Sequence, residues 1–199
     1  MISLQPRAFV IKNFINDFEA SEIIRLASPS LALSQVGDGE AGRFASNTRT
    51  SFNTWIRRDR NPIIDTLFKR ASDLIQIDES LLTRDKCAED LQVVHYENGQ
   101  KYDSHHDWGV SGYPESRFLT LLLYLTDMAS PDAGGETAFT KANHGKGVKV
   151  HPGKGSAVLF YDLLEDGNGD DLSLHAALPC TKGEKWLANF WVWDPVIRF

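Results

Sequence analysis

The sequence predicts an α+β fold in which a β-sandwich or jelly roll is buttressed by helices. Two observations carry that prediction. Helical periodicity is confined to the first half of the 199 residues, and from Leu91 onward the chain breaks into seven short β-type runs. Those runs are separated by turn-forming segments rich in Gly, Pro, Asn and Asp, the pattern of successive antiparallel strands. Helices first and strands afterwards segregate the two element types, which is the α+β arrangement.

Residues Arg7 to Phe14 read as a strand. Asn16 with Glu19 three residues later forms the start of a helix, because each side chain can satisfy a backbone N–H of the other's residue. That helix would carry Phe18, Ile23, Ile24 and Ala27 on one side. A second helix opens at Asn61, a good cap, with Pro62 at the first helical position. Ile63, Ile64, Leu67, Phe68, Ala71, Leu74 and Ile75 then follow the 3.6-residue period, so one face is laid on something apolar. The later runs are LQVVHYE, RFLTLLLYLTD, ETAFT, GVKVH, SAVLFYD, SLHAAL and EKWLANFWVWD. Between them PDAGGE, HPGKG and EDGNGDD supply the turns, and Gly134, Gly135, Gly153 and Gly155 are read as turn residues.

Composition narrows the function. With 42% hydrophobic and 24% charged residues the chain can bury a core and is not a disordered one. A formal net charge of -6 argues against a whole-surface grip on nucleic acid or anionic lipid, so neither is expected as a partner. The longest apolar run, about Phe118 to Leu125, is too short to span a bilayer as a helix. Cys87 and Cys180 lack the spacing of a thiolate metal site and are read as free thiols. The start MISLQPRAFVIKNF has no basic-then-apolar leader pattern, so a cytoplasmic location is expected, the alternative being the secretory pathway with a leader removed.

The chemistry-bearing residues lie in the strand-rich half. In YDSHHDWG, His105 and Asp107 stand two apart, and on extended backbone such residues project to one face, where imidazole and carboxylate can share a metal. The pair is weak evidence by itself, since six histidines in this composition give roughly 0.5 chance matches. A third candidate, His175, follows in SLHAAL, and Lys185 comes ten residues later across a glycine-containing turn. Two His and one carboxylate leave open coordination positions, the donor set of non-haem Fe(II) oxygenases. A Lys inside an aromatic-rich strand needs an anion, and a bound dicarboxylate would supply one. His95, His144 and His151 fit no ligand spacing, and His106 falls on the opposite face.

Taken in order, YENGQKYDSHHDWG, RFLTLLLYLTD, GGETAF, GSAVLFYD and SLHAALPCTKGEKWLANFW resemble the catalytic domain of the 2-oxoglutarate- and Fe(II)-dependent prolyl 4-hydroxylases. The resemblance covers almost the whole chain, including the RTS segment at Arg49 to Ser51. It implies a double-stranded β-helix, or jelly roll, as one catalytic domain over residues 1–199: 1–90 give helical support and early strands, and 91–199 give the core with the metal site. It implies hydroxylation of proline at C4 in peptides or proteins, with 2-oxoglutarate and O2 converted to succinate and CO2 and ascorbate as a reductant. Carried over by position, the iron ligands fall on His105, Asp107 and His175, and the cosubstrate's carboxylate on Lys185, helped by the hydroxyls of Tyr96 and Thr137. Tyr102, Arg117 and Trp191 match positions near the peptide, and Arg49 a loop over it. One departure is Trp193, where the family often has His, which points to a different substrate preference.

Three other readings remain open from the residues. The same chemistry could act on another side chain or a free amino acid. A catalytically silent jelly roll could use its aromatic groove only to hold proline-rich partners, whose preformed extended shape lowers the entropic cost of binding. A metal hydrolase ranks last, because no dedicated general base accompanies the triad.

Overall fold

The structure is a computed structural model and describes residues 1–35, 47–110 and 116–194. Eleven strands and two α-helices run in the order β1 (Ala8–Ile11), α1 (Asp17–Ala27), β2 (Ala32–Leu33), β3 (Phe52–Ile56), α2 (Pro62–Ile75), β4 (Leu91–Tyr96), β5 (Tyr102–His105), β6 (Arg117–Tyr124), β7 (Thr137–Phe139), β8 (Val148–Val150), β9 (Ala157–Tyr161), β10 (His175–Ala177) and β11 (Lys185–Trp193). Seven strands form a large sheet in the order β1-β9-β6-β11-β4-β3-β2, and four form a small one in the order β5-β10-β7-β8. Neighbours pair antiparallel throughout both. The fold is sheet-dominated with its helices at the front, as the segregation of periodicities predicts.

Period-2 alternation divides the large sheet into two faces. On one, Leu91, Val93, Leu119, Leu121, Leu123, Ala188, Phe190 and Val192 pack with Ile23, Ala27, Ile64, Leu67 and Phe68 of the helices into a single apolar cluster. Phe68 meets Phe190 edge-on at 4.6 Å between ring centroids. On the other, Val94, Leu122, Tyr124, Phe160 and Leu187 pack with Phe139 and Ala177 of the small sheet. The two sheets therefore face each other, and the helices cover the large sheet's outer side.

The helix starts behave as their sequences predict. Asn16 Oδ1 accepts from Glu19 N and Glu19 Oε2 accepts from Asn16 N, both at 2.9 Å, and Asn61 Oδ1 accepts from Ile63 N at 2.9 Å. The buried stripe of α1 corrects the sequence reading, because Phe18 is exposed and Glu19, Ala20, Ile23 and Ala27 are buried. The cause is the helical period: Phe18 stands about 140° round the helix from Ile23 and about 180° from Ala27, so burying those two leaves it in solvent, while Glu19 turns inward to Arg70 of α2 at 2.6 Å. The first strand is also shorter than expected, ending at Ile11. Cys87 and Cys180 are buried thiols outside any disulfide, and no described helix is long and apolar enough to cross a membrane.

Candidate metal centre and cosubstrate pocket

Strand pairing brings the two histidines together, since His175 on β10 stands directly opposite His105 at the end of β5. Opposed residues in an antiparallel ladder keep their side chains close, and here the ring centroids are 4.3 Å apart. Asp107 lies in a bend just past β5 rather than on the strand the sequence suggested, yet it reaches the same point. Its Oδ1 is 3.7 Å from His105 Nε2 and its Oδ2 is 3.8 Å from His175 Nε2. One ligand atom from each of the three falls within 4.8 Å of the others, a spacing that one metal ion can bridge.

Hydrogen bonding prepares each donor. His105 Nδ1 donates to Asp103 O at 2.8 Å and His175 Nδ1 donates to Ser173 O at 3.0 Å. A carbonyl can only accept, so Nδ1 carries the hydrogen and Nε2 offers its lone pair to the centre. Burial first, then the neighbouring His175, push His105 down to about 3, which keeps its imidazole neutral. Burial works against ionising Asp107, but His175, His105, Arg117 and a hydrogen bond from Trp191 outweigh it and hold the carboxyl well below its usual range. Among the described residues the two side-chain donors that reach this carboxylate, Thr120 Oγ1 at 2.7 Å and Trp191 Nε1 at 2.9 Å, both go to Oδ2. Oδ1, 3.7 Å from His105 Nε2, receives neither of these donors.

These groups open onto a cavity of about 930 Å³, large enough for a small cosubstrate and part of a peptide. Tyr96, Tyr102, Arg117, Thr137, Trp191 and Arg49 all line it, as do His105, Asp107 and His175. Lys185 lies beneath the wall, fully buried. It stands opposite Tyr96 in the β4–β11 ladder, its Nζ is 4.6 Å from the centre of the Tyr96 ring, and it donates to Gly135 O at 2.7 Å. Gly135 presents that carbonyl from a backbone at φ +75°, a conformation open to glycine. Among the described residues no carboxylate comes within ion-pair distance of this ammonium, and burial depresses it to about 8. A cation so placed is matched by an incoming dicarboxylate.

Thr137 accepts from Tyr124 Oη at 2.7 Å, and burial raises the Tyr96 hydroxyl to about 12, so both tyrosines stay neutral hydrogen-bonding groups. Tyr102 stacks on His105 at 3.6 Å, and the Arg49 guanidinium lies 4.7 Å from the Tyr102 ring, a stack that backs the first histidine. Arg117 is gripped by both carboxylate oxygens of Glu89, at 2.6 and 3.1 Å, and lies 3.7 Å over the Trp191 ring. Trp193 also lines the cavity, while Trp186 stacks on His95 and packs into the helix-side core. Sequence reasoning missed Thr120, Tyr124, Gln92 and Glu89. The signal for the first three was present: they alternate with apolar residues on β4 and β6, on the face that carries Tyr96.

The donor set of two imidazoles and one carboxylate, with the buried ammonium nearby, fits a ferrous ion and a 2-oxo dicarboxylate. Residues 91–193 match the sequence model of the 2OG-Fe(II) oxygenase superfamily. The chain is 37% identical over 212 residues to the probable prolyl 4-hydroxylase 3 of Arabidopsis thaliana, covering 96% of this chain and 71% of the relative. Prolyl 4-hydroxylase 2 of the same plant is 36% identical over 213 residues, covering 96% and 68%. Among solved structures, the viral collagen prolyl hydroxylase of Paramecium bursaria Chlorella virus-1, in its 2OG complex, superposes with a TM-score of 0.73 at 26% identity, over 98% of this chain and 99% of that one. By sequence, by fold and by the donors it assembles, the chain belongs to the 2OG-Fe(II) oxygenase superfamily, among the prolyl 4-hydroxylases.

Proposed function

We propose that the protein hydroxylates prolyl residues at C4 in peptides or proteins, and that residues 1–199 act as one catalytic domain whose facing sheets are a double-stranded β-helix. The observation that carries the reading is the pairing of two features in one pocket. A His–Asp–His cluster, with Asp107 and His175 buried and His105 half-buried, opens onto a cavity, and behind the same wall lies a buried ammonium whose neighbours are a carbonyl and an aromatic ring. His105, Asp107 and His175 would hold the iron. Lys185 would take the far carboxylate of 2-oxoglutarate, with the hydroxyls of Tyr96 and Thr137 beside it. When bound, the iron and 2-oxoglutarate supply the oxidising chemistry, consuming O2 and releasing succinate and CO2.

The chain's own residues bind, orient and exclude water. Both histidines are held in the tautomer and ring orientation that present Nε2, so neither ring must turn before ligation. The ammonium is dry, which strengthens its attraction for an anion. Tyr102, Arg49, Trp191 and Arg117 build the wall against which a peptide would lie, and aromatic faces suit the rigid extended shape of proline-rich segments. The Glu89 pair keeps the Arg117 guanidinium fixed over Trp191 rather than free to seek an acidic substrate.

The test is incubation with a panel of proline-rich peptides, Fe(II) and 2-oxoglutarate, followed by fragment mass spectrometry. Gain of one oxygen atom on proline, matched by succinate, is expected. Oxygen on another residue would transfer the chemistry to a different side chain. Peptide binding without 2-oxoglutarate consumption would make the protein a binding module.

A further inference from the structure

Asp162, one residue past β9, is a carboxyl with 0% exposure at the end of an apolar strand. Its Oδ1 has no hydrogen-bond partner among the described residues. Its Oδ2 lies 2.9 Å from Thr120 Oγ1, and that hydroxyl oxygen is in turn 2.7 Å from Asp107 Oδ2. Three oxygens thus stand in a row with two gaps of hydrogen-bond length, and each gap needs a hydrogen. The Thr120 hydroxyl supplies one. With both carboxyls ionised, the other gap would hold two facing lone pairs in a place sealed from water, which is costly.

The second hydrogen therefore belongs to a carboxyl, and the surroundings decide which. Asp107 Oδ2 accepts from Trp191 Nε1 at 2.9 Å as well as facing Thr120, and this second donor, an N–H, on that oxygen favours its anion. Asp162 has no such donors. Burial first, then the charge of Asp107, lift it well above the ordinary carboxylate range, against the smaller opposing pulls of Thr120 and Arg117. Hydrogen count and local charge agree.

We propose that Asp162 is a positioning residue: as the neutral acid it donates to Thr120 Oγ1 and so commits the Thr120 hydrogen to Asp107 Oδ2. Thr120 and Trp191 then occupy Oδ2 from two sides and fix the rotation of the carboxylate, leaving Oδ1 the more basic oxygen for a metal. An ionised Asp162 would instead compete for the same hydrogen and let Asp107 turn. This rests on the reading of Asp107 as a ligand.

The experiment uses the full chain and Co(II) as the probe, titrated anaerobically, with thermal melts to show that each variant is folded. Asp162→Asn keeps a donor toward Thr120 and is expected to bind Co(II) within about twofold of wild type. Asp162→Leu and Thr120→Val remove the relay and are expected to weaken binding by roughly 10- to 100-fold. The Thr120→Val/Asp162→Leu double variant should be no weaker than Thr120→Val, within about twofold, because Asp162 acts through Thr120. Infrared difference spectra of the metal-free protein should show the carbonyl stretch of a buried protonated carboxyl in wild type and not in Asp162→Asn. Wild-type affinity in Asp162→Leu, an Asp162→Asn as weak as Asp162→Leu, or the absence of that band would each overturn the proposal while leaving the proposed function standing. A wild type that binds no Co(II) would overturn the metal-site reading beneath it, and the proposal with it.

Discussion

The two faces of the large sheet are built from the same strands and do opposite things. Along β11, Trp186, Ala188, Phe190 and Val192 enter the helix-side core, while Lys185, Asn189 and Trp191 on alternate positions face the small sheet and the cavity. On β6, Leu119, Leu121 and Leu123 go one way and Thr120 and Tyr124 the other. The helix side is dry and interchangeable in kind, so its residues are constrained by volume. The cavity side spends buried positions on a cation, hydroxyls and a carboxylate, each tied to a named partner. Substitutions should therefore separate cleanly: the helix side moves stability and the cavity side moves chemistry.

The largest effect belongs to the ligands. His175→Ala or Asp107→Ala should lower 2-oxoglutarate turnover by more than about 100-fold, since even the partners of metal ligands cost 10- to 100-fold. The melting temperature should stay within a few degrees. Turnover close to wild type in either variant would remove that residue from the metal site. On the helix side the pattern inverts. Phe190→Ala deletes a fully buried ring packed edge-on against Phe68, and should cost roughly 3–5 kcal/mol, or about 6–20 °C in Tm. The folded fraction should keep its kcat, and a Phe190→Ala enzyme with wild-type Tm but altered kcat would erase the division between the faces.

How much of this was readable in the sequence follows the same division. The helices, the strand runs and the alternation on β11 are local patterns, and they survive folding nearly intact. His105, His175 and Lys185 were legible because residue type and spacing narrow their chemistry. The pairing of His105 with His175 across a ladder, and of Arg117 with Glu89, was not, because register between distant strands is set by tertiary packing. Phe18 was misread for a local reason: its phase on the helix sets it opposite Ile23 and Ala27, whose burial turns it to solvent. Asp162 looks ordinary in sequence, and alternation marks Thr120 only as facing the cavity side, since the link between them shows only when three oxygens line up.

Lys185 sharpens the contrast, because it belongs to the cavity side yet touches stability. Its burial moves it from 10.5 to about 8, a cost of roughly 3 kcal/mol that the unliganded protein carries at neutral pH. The unfolded chain holds that proton longer than the folded one, so stability should rise as pH climbs from about 8 toward 10.5. Lys185→Met should flatten that rise and lift the apoprotein's stability by about 1–3 kcal/mol, net of the lost bond to Gly135. The same change should raise the KM for 2-oxoglutarate more than about tenfold. In wild type, cosubstrate affinity should weaken above pH ~8 as the free ammonium deprotonates. A Lys185→Met protein with unchanged KM would place the carboxylate contact elsewhere.

The smallest effect is expected at the rim. Trp55 on β3 is 41% exposed, lines the cavity, and its ring centroid is 5.7 Å from that of Trp191, which itself reaches Asp107. Its neighbour Ile56 points the other way into the helix-side core, so the alternation that divides the central strands persists here. A half-exposed ring beside a buried one can bind the body of a peptide but does not touch the ligand set. Its loss should remove binding felt equally by bound peptide and transition state. Trp55→Ala is thus expected to raise the KM for a proline-rich peptide by roughly 3- to 10-fold, the worth of one aromatic contact, with kcat and the KM for 2-oxoglutarate unchanged. Steady-state kinetics on one modified peptide would decide it. A fall in kcat would mean that Trp55 acts through Trp191 on Asp107, making the rim part of the metal site and moving the boundary between chemistry and binding outward by one strand.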